Sequence, residues 1–214
     1  HAQSRMDRIH IFLFAFIYSR FPPEKAGNTP ASRDSPMRPL QFPEGTGGVL
    51  QLRGGLSMSL QRAQKHLQKY HLDGRIRLTE ASSATVELAA KAVGVEPGRI
   101  AKTLSFIVRG EPVLVLAEGT ARIDNRKFKD TFKAKAVMIP PHQVEALVGH
   151  APGGVCPFGV KEGVRVYLDE SLKRFTTVFP AVGSGSSAIE LNLEELYETS
   201  MALEWIDVCK LPEA

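Results

Sequence analysis

Cysteine, net charge and long apolar runs are all scarce in this chain, and each shortage removes a class of function. Only Cys156 and Cys209 occur among 214 residues, too few for a disulfide framework and without ligand spacing to any of the six histidines. This predicts a reducing, cytoplasmic setting, no metal and no cofactor. A net charge of +4 allows a phosphate-bearing partner but is far below that of a histone-like polycation. The apolar run at 11–18 is eight residues long, too short to cross a bilayer, so no membrane partner is expected. Nucleotide fingerprints are missing too. No glycine loop ends in Gly-Lys-Ser/Thr, and Gly183-Ser184-Gly185-Ser186-Ser187 lacks the features of a dinucleotide turn.

What is there, 43% hydrophobic residues, can bury one full core. Residues 1–57 stand apart, with Pro22, Pro23, Pro30, Pro36, Pro39 and Pro43 and no helical or strand period. They predict a disordered or non-native extension, and 58–214 a single domain. The run at 11–18 follows Arg5, Arg8 and His10, which matches the basic and apolar parts of a secretory signal. The competing expectation is that Met58 is the natural start.

From residue 59 helices and strands of ordinary length alternate. Helices are predicted at 59–70 with Ser59 as cap, at 86–93 capped by Ser83 or Thr85, at 124–132, at 141–148, and after Asn192. Strands are predicted at 75–79, 102–108, 113–117, 136–139, 164–168, 176–182, 188–191 and 204–208, the second and third joined as a hairpin through 109–112. Helices mixed with hairpins predict an α+β domain on a mixed sheet and argue against a doubly wound nucleotide fold.

Two features could carry chemistry. Lys102 shares strand parity with Ile100, Leu104 and Phe106, so its ammonium lies in line with core residues. Either its stem packs on apolar surface while the head reaches water or a carboxylate such as Asp169, or the cation meets a phosphate or a developing oxyanion. The second feature is the loop at 149–159, with Gly153, Gly154, Val155, Cys156, Pro157, Phe158 and Gly159, whose bare backbone can approach a ligand closely. An ordinary glycine-proline turn is the plainer reading. Cys156 reads as a buried inert thiol, since the sequence shows no base placed to ionise it. Arg122, Arg126, Lys127, Lys129, Lys133 and Lys135 make a basic cluster that fits a phosphate backbone or a solvated face.

In colinear order, 85–95, 100–104, 153–159, 168–172, 181–184 and 193–196 resemble the YbaK/EbsC family, free-standing homologues of the editing domain of bacterial prolyl-tRNA synthetase, and within it the ProX-type deacylases. The resemblance implies a barrel-like mixed sheet with surrounding helices and an aminoacyl-tRNA deacylase acting in trans. The substrate would be a tRNA, expected to be proline's, mischarged with a small amino acid such as alanine, cysteine or serine. Its partners would be the 3′ end of an aminoacyl-tRNA and a tRNA synthetase. By the same resemblance Lys102 anchors the tRNA end, and Gly153 through Pro157 orient ester and water. Gly154, Val155, Cys156, Phe158 and Gly159 line the site, Asp169 sets Lys102 or the substrate amine, and Gly183, Ser184 and Gly185 form another wall. A strand-end cap at Ser171 is the plainer role for Asp169. The alternative function is a catalytically inactive tRNA-binding or regulatory module. The enzymatic reading expects Lys102 and the turn at Gly153 to face one crevice.

Overall fold

The computed structural model describes residues 57–79 and 85–212, so the expectations for the extension before Ser57 and for a cap at Ser83 fall outside the described residues. Helix α1 (Met58–Gln68) lines Leu60, Ala63 and Leu67 along one buried stripe. Its cap is Ser57, whose Oγ accepts from the Leu60 amide at 3.2 Å, and not the expected Ser59. Ser59 is buried and accepts from the Ala151 amide at 2.8 Å, so the hydroxyl that local pattern assigns to the helix end serves a tertiary contact. The strand predicted at 75–79 shrinks to β1 (Arg77–Leu78), because Asp73–Arg75 winds into a 3-10 turn. Thr85 caps α2 (Val86–Val93).

The hairpin of β2 (Ile100–Val108) and β3 (Glu111–Glu118) turns on Arg109 and Gly110, at φ 53° and 87°, so Glu111 and Pro112 belong to the strand and not to the turn. There follow β4 (Arg122–Ile123), α3 (Asn125–Phe132), β5 (Val137–Met138), α4 (Pro141–Val148), β6 (Arg165–Asp169) and β7 (Thr177–Pro180). The chain continues through β8 (Ser187–Ala188), β9 (Leu191–Asn192), α5 (Leu193–Thr199), β10 (Trp205–Ile206) and β11 (Cys209–Lys210). The segment predicted as one strand at 188–191 is divided between β8 and β9, which pair with different neighbours.

The main sheet has seven strands in the order β10-β6-β3-β2-β7-β9, with β5 also on β2. Both parallel and antiparallel pairs occur, and the sheet curls into a half-barrel with helices around it, the α+β architecture expected. Period two sorts its residues. Ala101, Leu114 and Leu116 face a core shared with α1 and α4, whereas Phe106, Val113, Val115 and Ala117 face Phe128 of α3.

One edge of β2 is interrupted. β7 pairs with it at Ile100 and Ala101, and β5 at Phe106 and Ile107, leaving 102–104 without a strand on that side among the described residues. In a two-residue hairpin Val108 and Glu111 form a hydrogen-bonded pair, so even-numbered β2 residues bond β3 and odd-numbered ones turn their backbone the other way. The Ile139 amide donating to Ser105 O at 3.0 Å fits this phase. Thr103 therefore presents its N–H and C=O to the interruption.

Candidate active site

Lys102 stands opposite Ala117 across the hairpin. Its ammonium donates to Gly119 O at 2.9 Å and to Ala121 O. Burial pushes its pKa below the ordinary 10.5, while neighbouring Cys209 and Glu118 work in the other direction. Among the described residues no carboxylate forms an ion pair with it, Asp169 included.

The glycine loop approaches β2 from the other face. Cys156 and Phe158 belong to the core of Ala101 and Leu116, on the side away from Lys102 and Ala117. No hydrogen bond joins Lys102 to this loop among the described residues. The single crevice expected between Lys102 and the Gly153 turn is thus not what the sheet forms: alternation along β2 sets the two on opposite faces, which border each other at the interrupted edge, where Thr103 follows Lys102.

Two stretches that the sequence nominated separately are brought together. A Cβ on Gly154 would lie 2.4 Å from Gly183 O, and one on Gly183 would lie 2.3 Å from Ser59 O. Backbone therefore packs on backbone from the loop, through the Gly183 turn, to the start of α1, an approach that only glycine allows. Ser184 Oγ donates to Ser187 Oγ at 2.9 Å and Ser187 Oγ to Val182 O at 2.8 Å, which closes the turn on itself. Gly153, Val155, Gly159, Ser184 and Gly185 are half-buried, whereas Gly154, Cys156, Pro157, Phe158 and Gly183 are buried. The first set can reach a ligand; the second holds the loop's shape.

A base does stand beside Cys156, unseen in the sequence because a six-residue separation carries no distance. His150 Nε2 lies 3.6 Å from its Sγ and donates to Phe158 O at 2.9 Å. Burial nevertheless pushes the thiol up to about 12 and the imidazole down to about 4, so at neutral pH both are uncharged and no thiolate forms. Asp169 is 1% exposed. Its Oδ1 accepts from the Ser171 amide at 3.0 Å, and its Oδ2 from Val208 and Cys209 at 2.9 and 3.1 Å. Both oxygens thus serve backbone, capping the 3-10 turn Glu170–Arg174 and fastening β11.

Sequence reasoning missed two residues. Among the described residues Thr103 Oγ1 is buried without a hydrogen-bond partner, on the side of β2 that faces the glycine loop. Its position directly after Lys102 was the available signal. Glu118, 0% exposed, accepts from Thr120 Oγ1 and, at 3.3 Å, from Arg174; in sequence it is an ordinary strand-end glutamate. Of the basic cluster, Lys127 pairs with Asp207 at 2.7 Å, while Arg122, Arg126, Lys129, Lys133 and Lys135 are exposed. No group of three or more His, Cys, Asp or Glu among the described residues could hold a metal ion, and no described helix is long and apolar enough to cross a membrane.

A family model described as aminoacyl-tRNA editing domain matches residues 80–199. YwhH of Bacillus subtilis (strain 168) is 51% identical over 154 residues, 72% of this chain and 98% of that protein. An Enterococcus faecalis protein named "Putative Cys-tRNA(Pro)/Cys-tRNA(Cys) deacylase EbsC" is 30% identical over 114 residues, 52% of this chain and 70% of its own length. A "crystal structure of a putative trans-editing enzyme for prolyl tRNA synthetase" matches with a TM-score of 0.66 at 30% identity, covering 73% of this chain and 99% of that one.

Proposed function

We propose that this chain, which belongs to the aminoacyl-tRNA editing domain family, is a trans-editing deacylase that cleaves the ester between a wrongly attached amino acid and the terminal ribose of a tRNA. The observation that carries this reading is the backbone contact of Gly154 with Gly183. It holds two turns together beside the interrupted edge of β2, with Lys102 and Thr103 on its two faces. A ligand lying across that edge can meet the ammonium on one side and the loop on the other.

An aminoacyl ester is already activated, so the protein's contribution is position and charge. Water adds to the ester carbonyl, the oxyanion meets the backbone N–H groups of half-buried Gly153 and Val155 while that of Gly154 stays on Ala151 O at 3.0 Å, and the ribose oxygen leaves with a proton. Neither Cys156 nor His150 supplies the nucleophile or base: the buried thiol stays un-ionised, and the buried imidazole is a weak base whose Nε2 is engaged with Phe158 O. The vicinal ribose hydroxyl handles the proton. Lys102 leaves the carbonyls of Gly119 and Ala121 for the anionic tRNA end, and Asp169 supports the site through β11. Alanine, cysteine or serine is the amino acid removed, because one methylene more or less separates substrates by only about 1–3 kcal/mol at a synthetase pocket, which calls for a second sieve. The names of EbsC and the matched structure favour the proline tRNA as carrier and a synthetase as partner.

The full engagement of Lys102 by two backbone carbonyls favours a second reading, a tRNA-binding module without catalysis. Deacylation of tRNA(Pro) charged with alanine, cysteine or serine, by wild type and Lys102→Ala, separates them. The enzyme reading expects hydrolysis of at least one ester and a severe loss in the variant; no hydrolysis by wild type supports the module.

A further inference from the structure

Arg122 of β4 lies directly opposite Lys210 of β11 in a two-stranded antiparallel ribbon. Both side chains are exposed, and like charges at directly opposed positions destabilise a strand pair. Among the described residues neither side chain makes a hydrogen bond or an ion pair, and Asp124 supplies Lys210 with a longer-range Coulomb attraction alone. The carboxylate nearest in sequence to Arg122, Asp124, accepts from the Arg126 and Lys127 amides at 2.9 and 3.1 Å. Asp207 is held by Lys127 at 2.7 Å. Arg126, with a side chain 92% exposed, stands on the first turn of α3, 4.0 Å from Asp130.

This ribbon is bolted to the candidate site from both strands. Ala121, next to Arg122, takes the Lys102 ammonium on its carbonyl, and Asp169 holds the Val208 and Cys209 amides that precede Lys210. Two exposed cations set opposite each other without a direct ion pair, fixed one residue from the carbonyl that holds the group expected to meet a tRNA end, are the arrangement a phosphate backbone would complete. We propose that the β4–β11 ribbon is a phosphodiester-binding site, with Arg122 and Lys210 as a clamp and Arg126 at its margin, that takes the acceptor strand of tRNA beside its terminal adenosine. This rests on the deacylase reading for the identity of the partner, not for the presence of the site.

Binding of uncharged tRNA(Pro) transcript, followed by fluorescence anisotropy across a salt series, tests the clamp apart from hydrolysis. Each phosphate contact contributes roughly 0.7–0.9 to the slope of log K against log salt. Arg122→Gln/Lys210→Gln is therefore expected to lower that slope by about 1.5 and to weaken binding about tenfold or more at low salt. Lys65→Gln/Lys69→Gln, on α1 and its C-cap, removes equal charge elsewhere and is expected to bind as wild type does. Unchanged affinity and slope in the ribbon variant, or an equal loss in the α1 variant, overturns the proposal. Melting curves identify a misfolded variant, in which case the single substitution Arg122→Gln, expected to lower the slope by about 0.8, decides. Should wild type hydrolyse no ester, the deacylase reading fails while the binding series still judges the ribbon.

Discussion

Gly154 rests against Gly183 so closely that a Cβ on the first would stand 2.4 Å from the carbonyl oxygen of the second. Neither side can yield by changing rotamer, because both partners are backbone, and Gly183 is in turn pressed on Ser59. Gly154→Ala must therefore push two turns apart. Expected are a destabilisation of about 1–3 kcal/mol in urea unfolding and a fall in deacylation on the order of 100-fold, the effect of an ångström-scale misplacement. A variant as stable and as active as wild type would falsify the contact.

Thr103 buries a hydroxyl that has no partner among the described residues, on the loop side of β2. Replacing it by the isosteric valine removes an uncompensated polar group, so stability should rise by about 1 kcal/mol. If the hydroxyl meets the substrate, Thr103→Val loses activity while gaining stability. Chemical denaturation and kcat/KM, measured together, decide; stability lost along with activity would mean that the hydroxyl serves the fold.

His150 titrates near pH 4 when folded and near 6.5 when unfolded, because burial disfavours its cation. Between these values the unfolded chain binds more protons, so stability is complete above pH 6.5 and falls as pH is lowered towards 4. The loss amounts to roughly 2–3 kcal/mol. His66, also lowered by burial, adds to the same acid slope. His150→Gln keeps a donor for Phe158 O and should flatten the curve in part. Identical acid slopes in the two proteins would show that His150 is not the buried neutral base described.

Asp169→Asn replaces an oxygen that accepts from backbone amides with an NH₂ that cannot accept. Either the Ser171 amide or the Val208 and Cys209 amides lose their acceptor, at a cost of about 1–3 kcal/mol. Hydrogen exchange should quicken at Val208 and Cys209 ahead of the sheet centre at Leu114–Leu116. Unaltered protection there would remove Asp169 as the fastening of β11.

Much of the fold was readable in order. The hairpin of β2 and β3, the helix opening on Pro141 and the capped helix after Asn192 follow from local rules, and the last shows a full capping box. Misplaced boundaries share a cause. Ser59 and Ser57 are equivalent as caps locally, and only the Ala151 amide distinguishes them. β4 and β11 are too short to show a period and exist because they pair with each other.

The candidate site was legible as parts. Residue identities nominated Lys102, the loop at Gly153 and the Gly183 turn, and the order of motifs pointed to an editing domain. Strand parity also set which side of β2 Lys102 takes, since alternation is a property of the chain itself. Tertiary structure alone decided that Gly154 meets Gly183, that His150 stands beside Cys156 yet leaves it neutral, and that the glycine loop reaches β2 from the face opposite Lys102. Those facts depend on distances and on exclusion of water between segments remote in sequence, and a linear order of residues contains neither.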